Sequence, residues 1–109
     1  MKDPNFTESL EEMDAGLVIA RLSKALAEAA MGTVEHNKQG KVVLTLTMKR
    51  IGETSQVNVE HKIDFQRPTA RGTKKEDFTT ATPMYVNKHG YLSVAPEMQT
   101  DIFKHAENM

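Results

Sequence analysis

The side chains able to bind a metal or move a proton are scattered along this sequence, and their spacing does not bring them together on one substrate. His36, His61, His89 and His105 fall on a link, a strand, a turn and the tail, with no His-to-His or His-to-Glu spacing that one helix would turn to one side. No metal site is expected from them. His61 lies in an inward-facing row between Val59 and Ile63, where a lone histidine is more often a hydrogen-bonded core residue than a ligand, and its burial would make the fold sensitive to acid. Glu11-Glu12 and Glu76-Asp77 are adjacent carboxylates, which point apart on a helix or strand, whereas general acid–base work needs groups that converge. They read as helix-start charge and as counter-charge to Lys74-Lys75. No serine sits in a G-x-S-x-G turn, and Gly72-Thr73-Lys74 lacks the leading glycine and the order of a phosphate loop. The absence of cysteine excludes disulfides, iron–sulfur clusters and thiol catalysis. A non-enzymatic chain without metal or cofactor is expected.

What remains is binding chemistry. The net charge of −1 conceals two poles. Asp3, Glu8, Glu11, Glu12 and Asp14 face only Lys2 in the first fourteen residues, and Arg67, Arg71, Lys74 and Lys75 are concentrated in residues 66–75. Such a polarity steers a charged partner. If all four cations bound phosphates, affinity would fall with a log–log salt slope of about −3 to −4. Phe78, Tyr85 and Tyr91 are the aromatic surfaces available for base stacking. The polar face of residues 56–64 carries Glu60 and Asp64 and no aromatic, unlike a single-strand RNA platform.

The elements that position these groups follow from periodicity. In residues 41–65 two alternating runs flank Ile51-Gly52-Glu53-Thr54-Ser55. Val42, Leu44, Leu46 and Met48, then Val57, Val59, Ile63 and Phe65, share a face, so an antiparallel hairpin with one buried face is expected. Residues 7–31 read as one helix, opened by a capping box at Ser9 and Glu12 or by Thr7, and closed by Gly32. Ala15, Val18, Ile19, Leu22, Ala25, Leu26, Ala29 and Ala30 form its sheet-facing side. Leu10, Met13 and Leu17 project elsewhere. Either the helix bends near Gly16 and buries them, or they form a partner or dimer surface.

Residues 66–79, broken by Pro68 and Gly72, read as a long basic loop, either a solvated excursion or a partner-binding arm. Met84-Tyr85-Val86 and Tyr91 to Val94 form a second hairpin, and Pro96-Glu97 starts a short final helix carrying Met98, Ile102 and Phe103, with residues 105–109 frayed.

With 109 residues the chain makes one domain. The expected fold is α+β, a long N-terminal helix packed on a four-stranded antiparallel sheet of two hairpins. No motif is close enough to a known family to carry residues over. The small cysteine-free plan is similar in style to compact accessory proteins of phages and other mobile elements. No secretory signal or bilayer-spanning run is read, and a cytoplasmic location is expected. The leading expectation is an adaptor, regulator or inhibitor that contacts a larger protein through Leu10, Met13, Leu17, Arg67, Arg71, Lys74 and Lys75. The alternative is a nucleic-acid accessory protein using Arg67, Arg71, Lys74, Lys75, Phe78 and Tyr85. Homodimerisation is compatible with both and with an enzyme, through either the helix stripe or an unpaired strand edge.

Overall fold

A computed structural model describes residues 2–96. The expected final helix beyond Pro96, the stripe Met98, Ile102 and Phe103, the frayed end 105–109 and His105 lie outside the described residues. Strands β1 (Lys41–Arg50), β2 (Gln56–Thr69), β3 (Gly72–Val86) and β4 (Leu92–Ser93) form one antiparallel sheet in sequential order. Helices α1 (Phe6–Glu12) and α2 (Leu17–His36) pack with it, so the fold is α+β.

Register places Leu44 opposite Ile63 and Ile63 opposite Phe78. Val42, Leu44, Leu46, Val59, His61, Ile63, Phe65, Thr82 and Met84 therefore share the face toward the helices. Thr45, Thr47, Lys49, Asn58, Glu60, Thr79 and Ala81 are exposed on the other. The core joins Val59, Ile63 and Met84 to Leu10, Met13, Val18 and Ala25.

The single helix expected over residues 7–31 is two. Asp14, Ala15 and Gly16 have φ of 50°, 53° and 86°, three left-handed residues in succession that kink the chain, while α1 and α2 follow β3 in one direction, from Lys2 at Asn87 through Asp14 at Thr82 to Arg21 at Phe78. Non-glycine residues in that region cost about 1–2 kcal/mol each. The kink turns α1 so that Leu10 and Met13 enter the core, and the Asp14 N–H donates to Thr82 Oγ1 at 2.8 Å. The α1 N-cap is Asn5, whose Oδ1 accepts from the Glu8 N–H at 3.1 Å. Ser9 and Glu12 do not form the expected capping box. Ser9 Oγ donates to the Leu92 carbonyl at 2.8 Å and Glu12 Oε1 accepts from the Val94 N–H at 3.0 Å, so both tie α1 to the segment around β4.

Gly32 does not end α2. The helix continues to His36 and closes on Asn37 with φ 50°. Gly32 is a packing residue: a Cβ there would lie 2.7 Å from Arg67 Cγ and 2.8 Å from the Pro68 carbonyl oxygen. Only a hydrogen at that position lets β2 cross so close.

The long basic loop expected at 66–79 is instead the closed end of a strand pair, with Thr69 opposite Gly72 and Ala70-Arg71 as the turn. Hydrogen-bond direction explains why Pro68 does not break it. Ile51 N–H bonds the Gln56 carbonyl and Val86 N–H bonds the Ser55 carbonyl, each at 2.9 Å. Even-numbered residues of β2 therefore direct their backbone groups toward β1, and odd-numbered ones toward β3. Pro68 faces the β1 side, but β1 ends opposite Gln66, so no ladder bond is lost. By the same alternation Pro83 faces away from β2, on the side where β4 covers only Tyr85 and Val86.

Candidate binding surface

The two expected interaction features are largely consumed within the monomer. Met13 is 1 % exposed and Leu10 is buried beside it, so they are core residues and not a partner surface; of that stripe only Leu17, at 39 %, reaches solvent. Among the cations, Arg67 lies 3.7 Å from Glu28 and 3.6 Å from Glu35, both on α2. Lys74 pairs with Glu76 at 3.8 Å. Lys38 Nζ donates to the Thr69 carbonyl at 2.9 Å, fastening the strand tip to the end of α2. Arg71 and Lys75 are exposed.

The aromatics do not gather around these charges. Phe78 is on the inner face beneath Arg21, whose guanidinium carbon sits 3.0 Å from the ring centroid. Tyr91 is buried, and burial pushes its phenol pKa up. Tyr85 shares the outer face of β3 with Lys75, ten residues along, a separation of about 33 Å at strand rise.

Among the described residues no group of three or more His, Asp or Glu side chains is placed to hold a metal ion. The space between α2 and the strands, about 350 Å³, is bordered by Arg21, Lys24, Glu28, Phe65, Glu76 and Asp77. His89 pairs with Asp3 at 3.0 Å in an exposed contact.

His61 is sealed in the centre of the sheet, with Nε2 2.8 Å from Thr82 Oγ1 and Nδ1 2.7 Å from Thr80 Oγ1. Burial lowers its pKa below the usual 6.5, opposed in part by the Asp14 carboxylate at the helix break and by Glu60 beside it. Because the unfolded chain takes up this proton more readily than the folded one, the contribution is intact above pH 6.5 and is lost as pH falls from there toward the lowered folded value. Urea midpoints should therefore decline between pH 7 and 5.5, by no more than about 1.4 kcal/mol per pH unit. The decline should flatten in His61→Gln; an equal decline in that variant would place the titration elsewhere.

Two further surfaces are open, one a strand edge that the sequence reading left unlocated and one that exposes Leu26, which was expected to face the sheet. The first is the outer edge of β1, which pairs only with β2. Its odd residues bond β2, so Val42, Leu44, Leu46 and Met48 direct N–H and C=O groups outward. Lys41, Lys49 and Arg50 are exposed at its ends and the strand contains no acid. The second is the outer side of α2, where Leu26, Met31 and Val34 are 54 %, 49 % and 83 % exposed. Val34 was hidden from the sequence reading by the expectation that the helix stops at Gly32. Strand order, which sequence does not reveal, was needed to find the β1 edge.

Among the described residues no helix is long and apolar enough to cross a membrane. No solved structure matches the chain. The uncharacterized protein YfdP of Escherichia coli (strain K12) is 38 % identical over 88 residues, covering 81 % of this chain and 72 % of that protein. The YfdP family model matches residues 5–92, from the Asn5 cap of α1 to the first residue of β4. The family match takes in the helix kink and the strands from β1 to the start of β4, and on both matches the chain belongs to the YfdP family.

Proposed function

We propose that this chain is a non-catalytic binding protein, an adaptor, regulator or inhibitor, that accepts an extended acidic segment of a larger protein along the edge of β1. The observation that carries this reading is a ten-residue edge strand with an unpaired side, cations at both ends and no acid. Outward N–H and C=O groups supply main-chain bonds to an added strand, and Lys41, Lys49 and Arg50 favour a partner of opposite charge. The same charges disfavour a second copy of β1. Antiparallel self-pairing centred on Thr45 would set Lys41 against Lys49 and repel. The cysteine-free composition supports a cytoplasmic setting.

Nucleic acid is the second reading, supported by Arg71 and Lys75 at the exposed strand tip. With Arg67 and Lys74 held by carboxylates, its expected salt slope falls to about −2.

Immobilised protein exposed to lysate of its source, with and without nuclease, separates the readings. A protein retained after nuclease, and lost when Lys41, Lys49 and Arg50 are all changed to Glu, supports capture along β1. The same protein retained by that triple variant overturns the β1 assignment. Capture that vanishes with nuclease makes nucleic acid the ligand.

A further inference from the structure

We propose that the outer face of α2 is a self-association surface, on which two copies of this chain pack their helices antiparallel. The face is apolar along its length. Ala20, Ser23, Ala27, Ala30 and Val34 recur at intervals of three and four, the spacing of a two-helix seam, and all five are exposed. Leu26 borders the seam on one side and Met31 on the other, about half exposed each. Their position is opposite to Val18, Ala25, Ala29 and Gly32, the residues that α2 buries against the sheet. An uncovered run of this kind is uncommon on a soluble monomer. The alanines and serine let two helices approach closely, and Val34 fills the space beside a small residue of the opposing helix.

Charge selects the occupant and its direction. The seam flank on the Met31 side carries Arg21 and Lys24 in its first half and Glu28 and Glu35 in its second. Arg21 is taken up by Phe78 and Glu28 by Arg67, so two such helices side by side and antiparallel set Lys24 of each against Glu35 of the other, a half-exposed carboxylate beside Arg67. With Ala27 of one copy against Ala30 of the second, Ser23 meets Val34 of the second copy. Lys24 then lies two helical positions from the level of that copy's Glu35, about 3 Å along the axis. Lys24 has no ion-pair partner among the described residues of its own chain, so a neighbouring copy would supply one. A parallel pair would instead put the two charged flanks on opposite sides of the seam, each against the other copy's Leu26 flank, where Lys24 meets no carboxylate. The surface is thus complementary to itself in one orientation, unlike the β1 edge, which repels its own copy.

Sedimentation equilibrium tests this on the full chain. A species of about twice the 12.2 kDa chain mass is expected in the micromolar range. Val34→Asp, at an exposed position, should raise the dimer dissociation constant at least tenfold with the circular dichroism spectrum unchanged. A monomer at all concentrations, or a dimer indifferent to Val34→Asp, overturns the proposal. Orientation is read separately, because the chain contains no cysteine. Mixed Ser23→Cys and Val34→Cys proteins should oxidise to the crossed dimer in preference to either like pair, and preference for the like pairs overturns the antiparallel arrangement. Neither experiment depends on partner capture by β1, since its three cations are left intact.

Discussion

Met13→Ala is expected to lower the free energy of unfolding by about 2–5 kcal/mol, read as a drop in the urea midpoint with little change in slope. Met13 is among the largest fully buried side chains, enclosed with Leu10, Val18 and Met84. Its truncation removes buried methylene surface and leaves a void that α1, tied to the β4 segment by Ser9 and Glu12, is poorly placed to fill. A domain of this size has only about 5–15 kcal/mol in total, so the variant should approach unfolding at moderate temperature. Leu17→Ala, four residues along and 39 % exposed, is the internal comparison and should cost under about 1 kcal/mol. Equal effects of the two would mean that α1 does not pack as described, and the kink at Asp14–Gly16 would lose its energetic justification.

Gly32→Ala should also destabilise, against the ordinary trend for a glycine inside a helix. Helix propensity alone favours the change by about 1 kcal/mol. The added Cβ, however, would sit 2.8 Å from the Pro68 carbonyl oxygen, which belongs to a strand and cannot swing aside, and 2.7 Å from Arg67 Cγ. Overpacking of a tight contact costs about 1–3 kcal/mol, and displacing β2 also lengthens the Arg67 contacts with Glu28 and Glu35. The net sign should be a lower melting temperature. A higher one would show that the strand pair yields and that the close approach at Gly32 is not needed.

These two residues also mark how far the sequence was legible. The β1–β2 hairpin was readable because Val42, Leu44 and Leu46 alternate with polar side chains, and contrast of that kind is what period-two reading detects. Of β3 only the end, Met84-Tyr85-Val86, was read, as part of the second hairpin. The inner row before it runs Phe78, Thr80, Thr82 and the outer row Lys75, Asp77, Thr79, Ala81, and threonines on both faces blur the contrast. Pro68 then read as a break, because the direction in which its missing N–H would have pointed depends on register. The oddity of Leu10 and Met13 was visible, and so was the bend near Gly16 that resolves it. Gly32 misled for a related reason: a glycine late in a helix looks like a terminator unless the strand crossing above it is known. For the candidate surface, charge was legible residue by residue, but which cations already had carboxylate partners was a matter of tertiary contact.

The placement of Pro83 bears on what happens when many copies meet at high concentration. A sheet with two open sides can stack edge to edge without limit, each molecule offering one side to the next, and such growth ends in fibres. Here the β3 side has lost a donor at Pro83 and is covered at Tyr85 and Val86, which leaves its open length between Gly72 and Thr82, where Lys74, Lys75, Glu76 and Asp77 are exposed. A further molecule on that side would have to pair along this charged stretch and match its mixed signs. Growth beyond one added strand is thus opposed by charge and cut short by Pro83, which lets the chain keep an open β1 side with less tendency to seed its own polymerisation.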